Sequence, residues 1–203
     1  MSVVVAAFDV DETLTVRDCV IPFMRRVGGM GLLARSAVGA IPMLIRRDRN
    51  GVKAHFVSAI FADREMAEVE SHGISFASMV ADRWMRQDVC ARLRWHQDQG
   101  HVVVLVSASL SAYLNPLGDL LEVDAVLCTE LEIEENIYTG QIIGANCRGS
   151  EKAERLRIWC EEAGIDISSI EYAYGDSKGD TELIGMATNG IWVHKGTLDQ
   201  VPA

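Results

Sequence analysis

The sequence predicts an α/β fold with a parallel sheet at its core and a small helical domain inserted after the first strand. Two observations lead to this fold class. Short, continuous apolar runs that end in polar residues alternate with helical stretches, which is typical of a parallel sheet covered on both faces. Residues 16–86 break this alternation, because their pattern is mostly helical and contains no convincing strand.

Five apolar runs are the strand candidates. Each is short enough for a strand, and the first and longest ends directly in acidic residues. Strands buried on both faces need no polar side chain along their length, which explains the continuous rather than alternating pattern. The candidate strands are Val3–Phe8, Val102–Val106, Ala125–Leu127, Ile170–Tyr174 and Ile191–Val193.

Helices and one hairpin fill the intervals. Ala81–Gln99 is predicted as one helix that ends before a glycine. Ser150–Ala163 is predicted as a second helix, with Ser150 as its N-cap. Leu131–Ile143 is typical of a β-hairpin, with Glu134-Glu135-Asn136 at its tip.

The predicted organisation is therefore a core of residues 1–15 and 87–203, interrupted by residues 16–86, which we call the helical insertion. Within it, Val27–Ile45 is apolar except for Arg35 and Ser36 and approaches the length of a membrane span. Four glycines and one proline interrupt it, so a helix or broken helix pair is expected. Contact with a membrane surface is left open but is not favoured.

Composition excludes several classes of protein. The chain has 203 residues, a net charge of −10 and no basic footprint typical of a nucleic-acid-binding protein. The five cysteines are scattered and odd in number, which disfavours a disulfide scaffold or a zinc ribbon and suits a reduced, cytoplasmic setting. The N-terminal apolar run lacks a basic leader, so no signal peptide is expected.

Polar side chains follow the three longest predicted strands, where ligands bind in open parallel sheets. A carboxylate can attack phosphorus, a second can act as general acid and base, and Mg²⁺ prefers oxygen ligands. We therefore expect Asp9 and Asp176 to hold Mg²⁺, with Asp9 as nucleophile and Asp11 as acid and base. Thr13, Ser107 and Lys152 would supply hydrogen bonds and positive charge to the transferring oxygens.

Four motifs carry a resemblance to the haloacid dehalogenase superfamily, and within it to the phosphoserine phosphatase-like branch of small bacterial hydrolases. DxDxT matches Asp9 to Thr13, and a serine after an apolar strand matches Ser107. A lysine at a helix start matches Lys152, and GDSxxD matches Gly175 to Asp180. The motifs occur in the family's order and span nearly the whole chain.

The resemblance implies a Rossmann-like core with a helical cap formed by the insertion. It implies Mg²⁺ held by Asp9, Asp176 and the main-chain carbonyl of Asp11, with Asp180 orienting a metal-bound water or pairing with Lys152. Asp18, Lys53 and Ser109 are the candidate substrate-binding residues. The expected partner is a small-molecule phosphate ester that is small or partly apolar.

Other functions stay open. A phosphotransferase would use the same aspartyl-phosphate on Asp9, whereas a signalling phospho-acceptor would keep it without turnover. A binding module without catalysis is disfavoured by the complete set of acids, and a dehalogenase by Asp11, which a phosphatase needs to protonate an alkoxide. The sequence gives no indication of oligomeric state.

Overall fold

A five-stranded parallel sheet forms the core of the computed structural model, which describes residues 3–193 and residue 198. The strands along the chain are β1 (Val5–Phe8), β2 (Arg64–Glu65), β3 (Val102–Leu110), β4 (Ala125–Thr129), β5 (Leu131–Glu134), β6 (Ile137–Ile142), β7 (Ile170–Gly175) and β8 (Asn189–Trp192). The sheet order is β4-β3-β1-β7-β8, so β1 is central. The predicted α/β class with a parallel sheet is confirmed. The predicted core also includes residues 1–2, 194–197 and 199–203, which lie outside the described residues.

Helices cover both faces of this sheet. They are α1 (Val20–Gly39), α2 (Ile41–Ile45), α3 (Arg49–Phe61), α4 (Met66–Arg83), α5 (Gln87–Asp98), α6 (Ser111–Leu120), α7 (Ser150–Glu162) and α8 (Thr181–Met186). Side chains alternate along β1: Val5 and Ala7 pack toward α7 and α8, whereas Ala6 and Phe8 join the opposite cluster with α5 and α6. Burial on both faces explains the continuous apolar runs.

The helical insertion consists of α1 to α4 and the two-residue strand β2. β2 pairs antiparallel with β6, which pairs with β5, so the predicted hairpin forms a small second sheet with the insertion. The aromatic rings of Phe61 and Tyr138 meet across this junction at 6.2 Å. In the described part of the chain, no helix is both long and apolar enough to cross a bilayer.

The chain leaves and re-enters the core at one place. Val16 donates its amide to the Trp84 carbonyl, and Arg86 donates to the Leu14 carbonyl, each at 2.8 Å. These bonds require extended backbone where the sequence predicted a single helix over Ala81–Gln99. That prediction was wrong: α4 ends at Arg83 and α5 begins at Gln87.

Smaller differences have local causes. Ser150 is the first helical residue of α7 rather than its N-cap, because Gly149 occupies the cap at φ 64°. The strand predicted over Val102–Val106 extends to Leu110. Gly29, at φ 72° and ψ 169°, leaves the helical conformation and divides α1 into two helical segments joined by a kink, which agrees with the broken helix pair expected in this stretch.

One glycine sets how closely the insertion packs on the core. A Cβ on Gly73 of α4 would lie 1.8 Å from the backbone oxygen of Ala112 in α6. Helices α4 and α6 can therefore approach so closely only because residue 73 has no side chain.

Candidate active site

A cleft of about 410 Å³ lies between the carboxyl edge of the central sheet and the helical insertion. Residues at or after the carboxyl ends of β1, β3 and β7, together with Lys152 of α7, form its polar floor. The wall contributed by the insertion is largely apolar. The floor includes Asp9, Asp11, Ser107, Lys152, Asp176 and Asp180, and the wall includes Val20, Ile21, Met24, Val52, Lys53 and Phe56.

Asp9 is held at the end of β1 by the tight turn that follows it. Its amide donates to the Tyr174 carbonyl of the neighbouring β7 at 2.9 Å, which continues the sheet ladder by one residue. The turn over Val10–Leu14 needs Glu12 at φ 62°, and it brings the Thr13 hydroxyl back to donate to Asp9 Oδ2 at 2.8 Å. The DxDxT spacing thus places Thr13 beside the Asp9 carboxylate.

Lys152 is the buried cation of the site. It projects from the first turn of α7, and its Nζ donates to Asp9 Oδ1 at 2.5 Å and to Asp180 Oδ1 at 2.6 Å. Burial opposes the charge on Lys152, but the charges of Asp9 and Asp180 outweigh it and raise the pKa of the lysine. Burial raises the pKa of Asp9, and the charge of Lys152 counteracts that effect. The ion pair therefore favours the charged form of both groups, although burial leaves the pKa of Asp9 raised.

Asp180 is fixed from two directions. While Oδ1 meets Lys152, its Oδ2 accepts from the amide and the hydroxyl of Ser177, each at 3.0 Å. The Ser177 hydroxyl in turn accepts from the Gly179 amide at 3.2 Å, which closes a reciprocal cap on the turn after β7. The GDSxxD motif thus gives Asp180 an orienting role toward Lys152.

Asp9, Asp176 and Asp180 form an acidic cluster that fits a divalent cation. One carboxylate oxygen of each lies within 4.8 Å of the others. Burial, followed by the charges of Asp9 and Asp180, raises the pKa of Asp176 to about 6. With Lys152, the three carboxylates carry a summed charge of −2 when ionised. A hard dication with oxygen ligands, such as Mg²⁺, would neutralise that charge.

Asp11 does not contribute its side chain to this cluster. Its Oδ1 accepts from the Cys19 amide at 2.8 Å, and its Oδ2 accepts from the Ser109 hydroxyl at 2.6 Å. Desolvation, followed by the charge of Asp18, raises the pKa of Asp11 to about 7. A carboxyl that exchanges protons near neutral pH suits general acid and base catalysis.

The two serines at the end of β3 differ in position. Ser107 lines the cleft, and its hydroxyl accepts from the Ser109 amide at 3.1 Å. Ser109 is fully buried behind Asp11, and its hydroxyl accepts from the hydroxyl of Tyr113 at 2.6 Å. Ser109 is not among the residues that line the cleft, so the structure gives it a contact with Asp11 rather than with a ligand.

Lys53 connects the insertion to the core. From α3, its Nζ donates to the Ala108 carbonyl, to Thr129 Oγ1 at 2.9 Å and to Asn146 Oδ1 at 2.6 Å. Burial lowers the pKa of Lys53 to about 8. Asp18 lines the same cleft but is exposed, and its Oδ1 accepts from the Ile21 amide at 3.1 Å.

Several residues in or around the site were not predicted as site residues from the sequence. Thr129 had a signal, because it is the polar residue at the carboxyl end of β4, where site residues of a parallel sheet collect. Asn146 and Arg148 precede the motif lysine, but neither has a distinctive spacing. Arg49 and Tyr113 reach the site only through the tertiary fold.

Comparisons with known proteins agree with this geometry and confirm the resemblance. The chain matches the haloacid dehalogenase-like hydrolase family over residues 6–184. Protein CicA of Caulobacter vibrioides is 33% identical over 186 residues, which are 89% of this chain and 82% of that protein. A probable phosphatase of Mycobacterium tuberculosis is 25% identical over 188 residues, 88% of this chain and 64% of that protein. A solved phospho-aspartyl intermediate analogue of phosphoserine phosphatase has a TM-score of 0.64 at 20% identity, covering 92% of this chain and 84% of that one. The chain therefore belongs to the haloacid dehalogenase-like hydrolase family.

Proposed function

We propose that the protein is a Mg²⁺-dependent phosphomonoester hydrolase that forms an aspartyl-phosphate on Asp9. The observation that carries this proposal is the buried Asp9 carboxylate, held by Lys152 and Thr13 at the floor of a cleft and within 4.8 Å of two further acids. A nucleophilic carboxylate needs such fixed orientation and such compensation of its charge when it approaches a phosphate dianion.

In the first step, an oxygen of Asp9 attacks phosphorus. A bond forms between that oxygen and phosphorus, and the bond from phosphorus to the ester oxygen breaks. Asp11 gives its proton to the leaving alkoxide, which its raised pKa permits near neutral pH. In the second step, Asp11 takes a proton from water as the water oxygen attacks the aspartyl-phosphate, which releases phosphate and regenerates Asp9.

Mg²⁺ would be held by Asp9, Asp176 and the main-chain carbonyl of Asp11, and it would neutralise the charge between nucleophile and phosphate. Asp180 holds Lys152 beside Asp9 and contributes to the same acidic cluster. Thr13, Ser107 and Lys152 would donate to the phosphoryl oxygens as negative charge spreads over them. We propose that Ser109, predicted to contact substrate, instead orients Asp11.

The substrate would be a small or partly apolar phosphate ester. The helical insertion (residues 16–86) would act as the cap that excludes water, because it supplies the apolar wall of the cleft. Asp18 and Lys53 are the proposed polar contacts to the part of the substrate that carries no phosphate. The scattered cysteines, each free among those described, support a cytoplasmic setting.

A mass-balance experiment tests this function. The protein is incubated with excess p-nitrophenyl phosphate and Mg²⁺, and both p-nitrophenol and inorganic phosphate are counted, with Asp9→Asn as the matched control. A hydrolase releases both products equally over many turnovers, and EDTA stops both. Excess p-nitrophenol over phosphate when alcohols are added would indicate the phosphotransferase. A single equivalent of p-nitrophenol per chain would indicate the phospho-acceptor.

A further inference from the structure

Positive charge is concentrated in one segment of this acidic chain. Residues 20–61, which span α1 to α3, contain seven Lys and Arg residues and one acidic residue, a net charge of +6. The remaining 161 residues contain 12 basic and 28 acidic residues, a net charge of −16. Such a separation gives the outer helices a potential opposite in sign to that of the rest of the molecule.

The same segment exposes large apolar side chains at the end of α1 and along α2. Val38 is 67% exposed, Ile41 48%, Leu44 57% and Ile45 78%. Ile41, Leu44 and Ile45 are three and four residues apart, so they share one side of the helix. Isolated exposed aliphatic side chains are common on proteins, but four within eight consecutive residues are typical of an interaction surface.

Arginines border this apolar group directly. Arg46, Arg47 and Arg49 follow Ile45 along the chain, Arg35 precedes Val38, and all four arginines are exposed. We call these eight residues the cap tip. The end of α1 is fixed to α3, because the imidazole of His55 on α3 contacts the Ser36 carbonyl of α1 at 3.1 Å.

The cap tip lies beside the entrance of the catalytic cleft. A second depression of about 460 Å³ is lined by Leu44, Arg47, Asp48, Arg49 and Val52. Arg49 and Val52 also line the catalytic cleft. A surface covering the cap tip would therefore lie next to the opening through which a phosphate ester enters.

We infer that the cap tip docks on anionic phospholipid bilayers. Exposed aliphatic side chains bordered by arginines are the composition of helices that lie in the membrane interface, where apolar groups enter the acyl boundary and cations meet lipid phosphates. A nucleic acid would pair with the arginines but leave the aliphatic group in water. The acidic remainder of the molecule would face away from the membrane, since its charge is repelled by anionic lipid.

Vesicle sedimentation tests the docking. The wild-type protein is mixed with vesicles of phosphatidylglycerol and phosphatidylcholine, or of phosphatidylcholine alone, and the bound fraction is measured by protein absorbance. Binding is expected on the anionic vesicles only, and it weakens as salt is raised. Because no turnover is measured, failure of this inference is distinguishable from failure of the proposed function.

Two double variants separate the charged and apolar contributions. Arg46→Gln with Arg47→Gln should lower partitioning about 30-fold, since each basic residue near an anionic surface contributes about fivefold. Leu44→Ser with Ile45→Ser should lower it by about tenfold or more. The matched controls, Arg83→Gln with Arg94→Gln and Ile158→Ser with Ile167→Ser, change exposed residues elsewhere and should bind like wild type. Circular dichroism checks that every variant is folded.

Three results would overturn the inference. The first is wild-type binding that is absent or equal on both kinds of vesicle. The second is folded cap-tip variants that bind like their controls. The third is a wild-type dimer in sedimentation velocity that becomes a monomer in the Leu44→Ser, Ile45→Ser variant, because the apolar group would then be covered by a second copy of the chain.

Discussion

Replacing Asp176 by Asn should stabilise the metal-free protein while it removes the response to metal. The Asp176 carboxylate is half-buried near Asp9 and Asp180, and burial followed by their charges raises its pKa from 3.8 to about 6. Because the folded state binds this proton more tightly than the unfolded state does, ionised Asp176 destabilises the fold above pH 6. Asn removes that charge and keeps nearly the same shape.

The magnitude follows from the pKa shift. A shift of about two pH units corresponds to about 3 kcal/mol when Asp176 is fully ionised, and its partial exposure to water reduces this to about 1–2 kcal/mol. The extra stability of Asp176→Asn should be complete at pH 7.5, fall to about a third by pH 4.5 and vanish below 3.8, the pKa of this carboxyl in the unfolded chain. With saturating Mg²⁺ the wild type should be more stable than Asp176→Asn, since a ligand at 100 times its Kd adds about 2.7 kcal/mol to the free energy of unfolding of the wild type alone.

Urea unfolding in EDTA and in Mg²⁺, at pH 7.5 and pH 4.5, measures both effects. Asp98→Asn, which changes an exposed aspartate on α5, is the matched control and should leave the free energy of unfolding unchanged. The reasoning is refuted if Asp176→Asn lowers the stability of the metal-free protein at pH 7.5. It is refuted equally if Mg²⁺ stabilises that variant as much as it stabilises the wild type.

Three further predictions address the nucleophile, the general acid and the core. Asp9→Asn should abolish phosphate release from p-nitrophenyl phosphate in a folded protein, and turnover near the wild-type rate would remove Asp9 from its role. Ser109→Ala should slow hydrolysis of alkyl phosphates about 10- to 100-fold more than that of p-nitrophenyl phosphate, because only a poor leaving group needs the proton of a well-oriented Asp11; equal losses on both substrates would argue against it. His96 is fully buried, and burial followed by the charges of His101 and Arg92 lowers its pKa to about 3. Below pH 6.5 the imidazole of residue 96 is therefore protonated in the unfolded chain but not in the folded protein. The free energy of unfolding of the wild type should fall by about 2 kcal/mol between pH 7.5 and pH 5. Urea unfolding should show no such fall in His96→Gln.

The sheet and its catalytic edge were predictable because both depend on local patterns. A strand buried on both faces can be apolar at every position, as Val5–Phe8 is, and this pattern differs from the periodic pattern of an amphipathic helix. The first polar residues after such strands must emerge at the sheet edge, which is why Asp9 and Asp176 could be paired without coordinates. Lys152 could be identified as a site residue only from the order of the motifs, since an isolated lysine on a helix is ordinarily solvated.

The connections between insertion and core were not predictable, because they depend on contacts between residues distant in the sequence. The break between α4 and α5 contains neither glycine nor proline. It exists because the two chain segments that join the insertion to the core hydrogen-bond to each other, Val16 to Trp84 and Arg86 to Leu14. The approach of α4 to α6 at Gly73 depends on an Ala112 carbonyl that is distant in sequence. Contacts of this kind depend on tertiary packing, which outweighs the local preferences of the sequence.

The balance of charge in the site depends on hydrogen-bond partners that the motifs alone do not identify. The motifs identify four acids and one lysine, but only the strand order places β7 beside β1, and thus Asp176 and Asp180 beside Asp9. Once there, Asp180 is neutralised by Lys152 and held by Ser177, whereas Asp11 is withdrawn from the cluster by Cys19 and Ser109. The same fold therefore raises the pKa of Asp11 to about 7 and keeps Asp9 paired with a cation. Two carboxylates that are two residues apart thereby receive different surroundings, which suit the proposed roles of proton carrier and nucleophile in phosphate-ester hydrolysis.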